Sequence, residues 1–134
     1  MAKNTEVFNI GDEFKVTDEM EDGAKIKLSK DAYFVVRYSK SDTFYKGIRK
    51  TKEDNPDIDT LDMMNLSIAE FGLIDIKNVC LPDGTEIKNT KSDKLKLLTW
   101  KGKGNSEPPF RKMVFDAMGK LGNFPGAGPS LSKI

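Results

Sequence analysis

Ala24-Lys25-Ile26-Lys27-Leu28, followed by Tyr33-Phe34-Val35-Val36-Arg37-Tyr38, is the stretch whose reading decides the fold. The first run alternates apolar and polar residues and puts Ala24, Ile26 and Leu28 on one face, as a half-buried strand requires. The second is six residues rich in β-branched and aromatic side chains, so it reads as a central strand covered on both faces. Upstream, Glu13-Phe14-Lys15-Val16-Thr17 alternates in the same way. The acidic stretch between it and Ala24 ends in Asp22-Gly23 and reads as a solvated turn.

At Ser39 the period changes from strand to helix. Ser39 or Ser41 is placed to cap a short helix through Lys50, with Phe44 and Ile48 four apart on one side and Gly47 weakening it. Thr51 to Asp57 is polar, contains Asn55-Pro56 and reads as a loop. Asp59 or Thr60 should cap a second helix with Leu61, Met64, Ile68 and Phe71 in one stripe. Gly72 then stands where a left-handed C′ glycine belongs. Leu73 to Val79, the Pro82-Asp83-Gly84 turn and Thr85 to Lys88 read as a short hairpin or an ordered connection.

Thr90 to Asp93 opens a third helix with Leu95 and Leu98 inward and Trp100 near its end. Pro108-Pro109 opens a fourth, with Phe110, Val114, Ala117 and Leu121 in its stripe. The expected architecture is α+β: a small N-terminal antiparallel sheet followed by three to four helices. Residues 1–12 are expected to be a flexible N-terminus. Residues 13–121 should form a single domain, with 13–38 as a β element and 41–121 mainly helical. Residues 122–134 should be a flexible Gly/Pro tail.

Composition narrows the chemistry. The chain has 134 residues, 22 basic and 21 acidic side chains, no histidine and one cysteine. Without histidine there is no His general base, no Ser-His-Asp or Cys-His pair and no His metal ligand. Cys80 alone gives no internal disulfide and no Cys-rich zinc site; it reads as a small, at least half-buried residue. The acidic groups Asp18, Glu19, Glu21, Asp22 and Asp54, Asp57, Asp59, Asp62 lack an EF-hand spacing. No metal or other cofactor is expected.

The formal charge of +1 provides no field for nucleic acid. The lysine groups, including Lys91, Lys94 and Lys96, therefore read as solvated faces. The start MAKNTEVFNI has no apolar core of a secretory signal. No apolar run approaches the ~18–20 residues of a membrane span. What the sequence offers instead is methionine and aromatic side chains on the helices, which read first as a wide buried face of a small domain and otherwise as an adaptable apolar surface for partner segments. Met63 and Met64 share the second helix, and Phe115 and Met118 lie beside the main stripe of the fourth. These apolar helical positions look numerous for so thin a domain, which favours self-association or a partner.

The order and spacing of these segments resemble the tail assembly chaperones of long-tailed phages. The similarity runs through GAKIKLSKDAYFVVRYSKSDTFYKGIRK, DMMNLSIAEFGLIDIKNVCLPDGTEIKNTKSDKLKLLTW and FRKMVFDAMGKLGNF, about residues 23–124. The resemblance implies a non-enzymatic protein of the host cytoplasm that binds the tape measure protein and tail tube subunits and is absent from the finished particle. It also implies short and long forms made by frameshifting, for which the stretch after Phe124 is a suitable junction. Client contacts are then expected at Met63, Phe71, Phe115 and Met118. Lys46, Arg49 and Lys50 would supply charge complementarity to an acidic client. The alternatives are a structural tail or connector component of the virion and, less favoured, a small enzyme acting through lysine and carboxylates.

Overall fold

The computed structural model describes residues 17–124. The expected strand at 13–17 and the segments 1–12 and 125–134 lie almost wholly outside that range. Five helices and one antiparallel sheet follow in the order α1 (Asp18–Asp22), β1 (Ala24–Lys27), β2 (Tyr33–Val36), α2 (Asp42–Asp54), α3 (Thr60–Ser67), β3 (Leu73–Lys77), α4 (Lys91–Thr99) and α5 (Pro109–Gly119). A π turn, Ile68–Gly72, joins α3 to β3, and a 3-10 turn, Leu121–Asn123, follows α5. The fold is α+β, with β2 in the centre of a three-stranded sheet.

β1 pairs with β2 through Ala24 opposite Val36 and Ile26 opposite Phe34. On the other side β2 pairs with β3, with Phe34 opposite Ile76. The third strand thus comes from the middle of the chain, two helices after β2 in sequence. A bulge between Val35 and Val36 brings Leu73 opposite Val36. Both residues of that pair are fully buried. Phe34, Val36, Leu73 and Ile76 form the apolar floor on which the helices pack. Phe110 of α5 meets Phe34 edge-to-face at 5.4 Å between ring centres.

The acidic turn before β1 is instead the helix α1. Its first turn is closed by the Met20 N–H donating to Thr17 Oγ1 (3.3 Å). Tyr38 N–H then donates to Met20 O (3.0 Å), which ties α1 to the chain leaving the sheet. Gly23 takes φ 110° at the corner into β1, where a Cβ would meet Ile74 Cδ1 at 2.6 Å and Val35 Cγ1 at 2.7 Å. Only glycine suits both that dihedral angle and that space.

Ser41 is the N-cap of α2, its Oγ accepting from Phe44 N–H (3.2 Å). The helix continues past Lys50 to Asp54 and includes part of the expected loop. Thr51 is buried and donates to Gly47 O (2.9 Å), and Lys50 pairs with Asp54 at 3.1 Å. Gly47 faces the Phe71 side chain so closely that a Cβ would overlap its Cγ and Cδ2 and lie 2.9 Å from its Cβ. Gly47→Ala should therefore destabilise the protein by about 1–2 kcal/mol, although alanine is the better helix former by about 1 kcal/mol. Urea unfolding checks this; a more stable variant would show that Phe71 has room to move.

Asp59 caps α3 by accepting from Asp62 N–H (2.8 Å). Gly72 ends the helical segment, as its sequence position suggests, but without a left-handed φ. The requirement is space: a Cβ there would lie 2.5 Å from Met118 Cε. Thr90 caps α4 through Asp93 N–H (3.2 Å). Leu97 and Leu98 are buried on α4, with Leu95 only partly so. Before it, residues 79–87 form a small hairpin-like loop in which Cys80 bridges Glu86. Cys80 is exposed there, not half-buried as expected.

The flexible tail expected from residue 122 does not begin there. Residues 122–124 belong to the folded domain. Asn123 Nδ2 donates to Ala117 O (3.0 Å), and Phe124 is 1% exposed with its ring on Tyr38 at 5.5 Å.

Candidate functional site

Three side chains knit the elements together: Arg37, which the sequence does not single out, and Glu21 and Lys94, which it places in a solvated turn and on a solvated face. Arg37 Nε donates to Glu21 O (2.6 Å), and its Nη1 donates to Phe71 O. One guanidinium thus joins the end of α1 to the π turn. Glu21 in turn accepts from Thr43 N–H (3.4 Å) and from Thr43 Oγ1. Burial raises the Glu21 carboxyl, but hydrogen bonds from Thr43 and Ser41 and the charge of Arg37 outweigh it, so its pKa falls below 4.5.

A carboxyl lowered on folding stabilises the native state above its unfolded pKa, and that contribution is lost as pH falls through the native pKa. Glu21→Gln should therefore flatten the loss of stability below about pH 4.5. Unfolding midpoints between neutral and acid pH would show it. An unchanged acid limb would remove Glu21 from this role.

Lys94 is the third. It is buried, not solvated, and its Nζ donates to Leu73 O (2.7 Å) and Ile74 O (3.3 Å). Burial lowers its pKa, with Asp75 opposing that effect. Its ammonium is occupied by the outer edge of β3.

The seven expected contact residues do not form one surface. Met118 is 0% exposed and packs into the core against Gly72, so it cannot meet a client. Phe71 is half-buried and held against Gly47. Met63 is half-buried on α3. Lys46 and Lys50 are exposed on α2 and already paired within their own helix, to Asp42 at 2.9 Å and Asp54 at 3.1 Å. Those hydrogen bonds raise both lysine pKa values. Arg49 is exposed and borders a separate cleft with Lys52, Glu53 and Pro56.

Phe115 alone combines exposure with apolar surroundings. It is 46% exposed, and Leu61 on α3 is 54% exposed. With Met64 and Ile68 they line a groove of about 300 Å³ between α3 and α5, rimmed by Glu107, Arg111, Lys112 and Asp116. The rim carries both signs of charge, and Lys112 pairs with Asp116 at 3.3 Å. A second apolar groove, of about 490 Å³, lies on the other side of α5. Leu81, Leu97, Trp100, Phe110 and Met113 line it. Helix α5 is thus a ridge with Met113 and Phe115 exposed towards opposite grooves.

Leu61, expected in one stripe of α3 with Met64, Ile68 and Phe71, is the member of that stripe that stays exposed. Among the described residues no group of three His, Cys, Asp or Glu side chains stands close enough to hold a metal ion, and no helix is long and apolar enough to cross a membrane. Compared with known proteins, the chain matches no family model, no curated protein and no solved structure.

Proposed function

We propose that the chain is a non-enzymatic assembly chaperone of the phage tail type, acting in the host cytoplasm on the tape measure protein and tail tube subunits. The observation that carries this reading is the pair of large apolar side chains, Leu61 and Phe115, left exposed along one groove. Exposed apolar grooves rimmed by charge suit transient capture of apolar segments, because burial gives affinity and the rim keeps the free protein soluble. Several copies on one long client would gain from multivalency even if each contact were weak. Supporting a non-enzymatic role, the buried lysine that could have served chemistry, Lys94, has its Nζ taken up by two backbone carbonyls.

Co-expression with the tape measure protein of the same genome tests the proposal. The wild-type chain should hold that client in the soluble fraction and co-purify with it. The double variant Leu61→Ser, Phe115→Ser should lose about tenfold or more in affinity, the consequence of giving up two apolar anchors. Its own fold should be little changed, since both side chains are exposed. A client equally soluble with the variant would remove the groove from the function. A client that never co-purifies with the wild type would remove the chaperone reading.

A further inference from the structure

Side chains alternate along the three strands, so the sheet has a second face besides the core floor. Phe34, Val36 and Ile76 turn to the core, while Lys25, Lys27, Tyr33, Val35 and Lys77 turn the other way. The register sets the outward residues in two rows. Lys27, Tyr33 and Lys77 stand side by side in one, and Lys25, Val35 and Asp75 in the other. The three lysines are exposed, and Tyr33 and Val35 are half-buried.

This face joins an apolar patch to a cluster of positive charge. A Cβ on Gly23 would meet both Val35 Cγ1 and Ile74 Cδ1, so these two side chains close over that glycine. Lys25 Nζ lies 4.2 Å from the centre of the Tyr33 ring. Strand geometry puts the Lys27 and Lys77 backbones about 10 Å apart across β2, with Lys25 about 7 Å from Lys27 along β1. Lysines on the helices are answered by their own helix, as Lys46 is by Asp42, Lys50 by Asp54 and Lys112 by Asp116. Among the described residues Lys25, Lys27 and Lys77 form no ion pair. The carboxylate of Asp75, at the end of the second row, is engaged by Ile76 N–H (2.8 Å).

The cluster suits an anionic partner, since complementary charge steers and orients association. Nucleic acid is the poorer fit. Proteins that hold single strands stack successive bases on successive aromatic rings. Here there is one ring, and Lys25 already lies over it. Asp75 would also repel a continuous chain of phosphates. A protein segment can space its carboxylates to match the lysines and bring an aliphatic side chain to Val35 and Ile74.

We propose that this face of the sheet binds an acidic protein segment, its carboxylates against Lys25, Lys27 and Lys77 and an aliphatic side chain on the Val35–Ile74 patch. The contact is separate from the Phe115 groove and does not depend on what that groove captures. Together with the groove it gives one copy of the chain two docking surfaces of different chemistry.

The full chain is titrated against a blocked, dansyl-labelled dodecapeptide of glutamate with leucine at every third position, read by fluorescence polarisation. One counterpart carries glutamine for glutamate, another serine for leucine. The parent peptide should bind, more weakly as salt is raised. The serine counterpart should bind more weakly than the parent, and the glutamine counterpart about tenfold or more so. The double variant Lys27→Glu, Lys77→Glu should lose about tenfold or more in affinity for the parent. The double variant Lys46→Glu, Lys50→Glu makes the same change in net charge on α2 and should keep most of the affinity. All four lysines are exposed, so both variants should unfold in urea near the wild-type midpoint. Leu61→Ser, Phe115→Ser should bind the peptide as the wild type does.

No binding of the parent peptide, or binding of either counterpart as tight as the parent, would overturn the proposal. Equal losses from the two lysine variants would do so too, since they would reduce the effect to net charge. So would loss of binding in Leu61→Ser, Phe115→Ser, which would move the peptide to the groove. An oligothymidylate of the same length that binds more tightly than the peptide, and is lost in Lys27→Glu, Lys77→Glu, would give the face to nucleic acid instead.

Discussion

Phe124→Ala should destabilise the protein by about 3–5 kcal/mol, the range for emptying a fully buried aromatic site. Phe124 is 1% exposed and sits with its ring against Tyr38, so its removal leaves a cavity rather than a freed surface residue. The backbone helps to hold it. Phe124 N–H donates to Leu121 O (2.9 Å), and the neighbouring Asn123 side chain reaches back to α5. Urea unfolding of Phe124→Ala against the wild type measures the effect. A loss below about 1 kcal/mol would return residues 122–124 to the surface tail that composition suggests.

Arg37→Met should cost about 2–4 kcal/mol, because it leaves the Glu21 and Phe71 carbonyls without their donor in a partly buried place. The methionine keeps much of the apolar stem, so the loss is mainly of hydrogen bonds. A second readout separates this from general damage. Arg37 is one of the groups that lower the Glu21 pKa, so its removal should raise that pKa while the Thr43 hydrogen bonds remain. Carboxyl titration by NMR would detect the rise. A destabilised variant with an unmoved Glu21 titration would show that the Arg37 charge does not reach the carboxyl.

Local chemistry explains which features were legible in the sequence. Ser41, Asp59 and Thr90 each stand three residues before the N–H they cap, and Pro109 opens α5, so four helix starts were legible to within a residue or two, with Ser41 and Asp59 each one of two candidate caps. The central place of β2 followed from its β-branched and aromatic run. β3 was not legible as a sheet strand, because Leu-Ile-Asp-Ile-Lys is short and its pairing partner lies about forty residues upstream. α1 was missed for a related reason. Five residues do not sustain a helix alone; Tyr38 and Arg37 hold this one from outside.

The site shows the same division. Phe115 stood out because it lies off the main stripe of α5 and is aromatic. Met118 lies off that stripe too, but the absent side chain of Gly72 opens a space that buries it. Lys94 looked like any other lysine in a basic run, and only the edge of β3 above it makes it internal.

Site-specific photo-crosslinking tests the central claim most directly. A photoreactive phenylalanine analogue replaces Phe115 in one sample and Tyr45, exposed on α2, in another. Both are co-expressed with the tape measure protein of the same genome and irradiated. The account predicts a crosslink from position 115 to an apolar segment of that protein and little or none from position 45. Crosslinks from position 45 but not 115, or from 115 only to other copies of this chain, would contradict it.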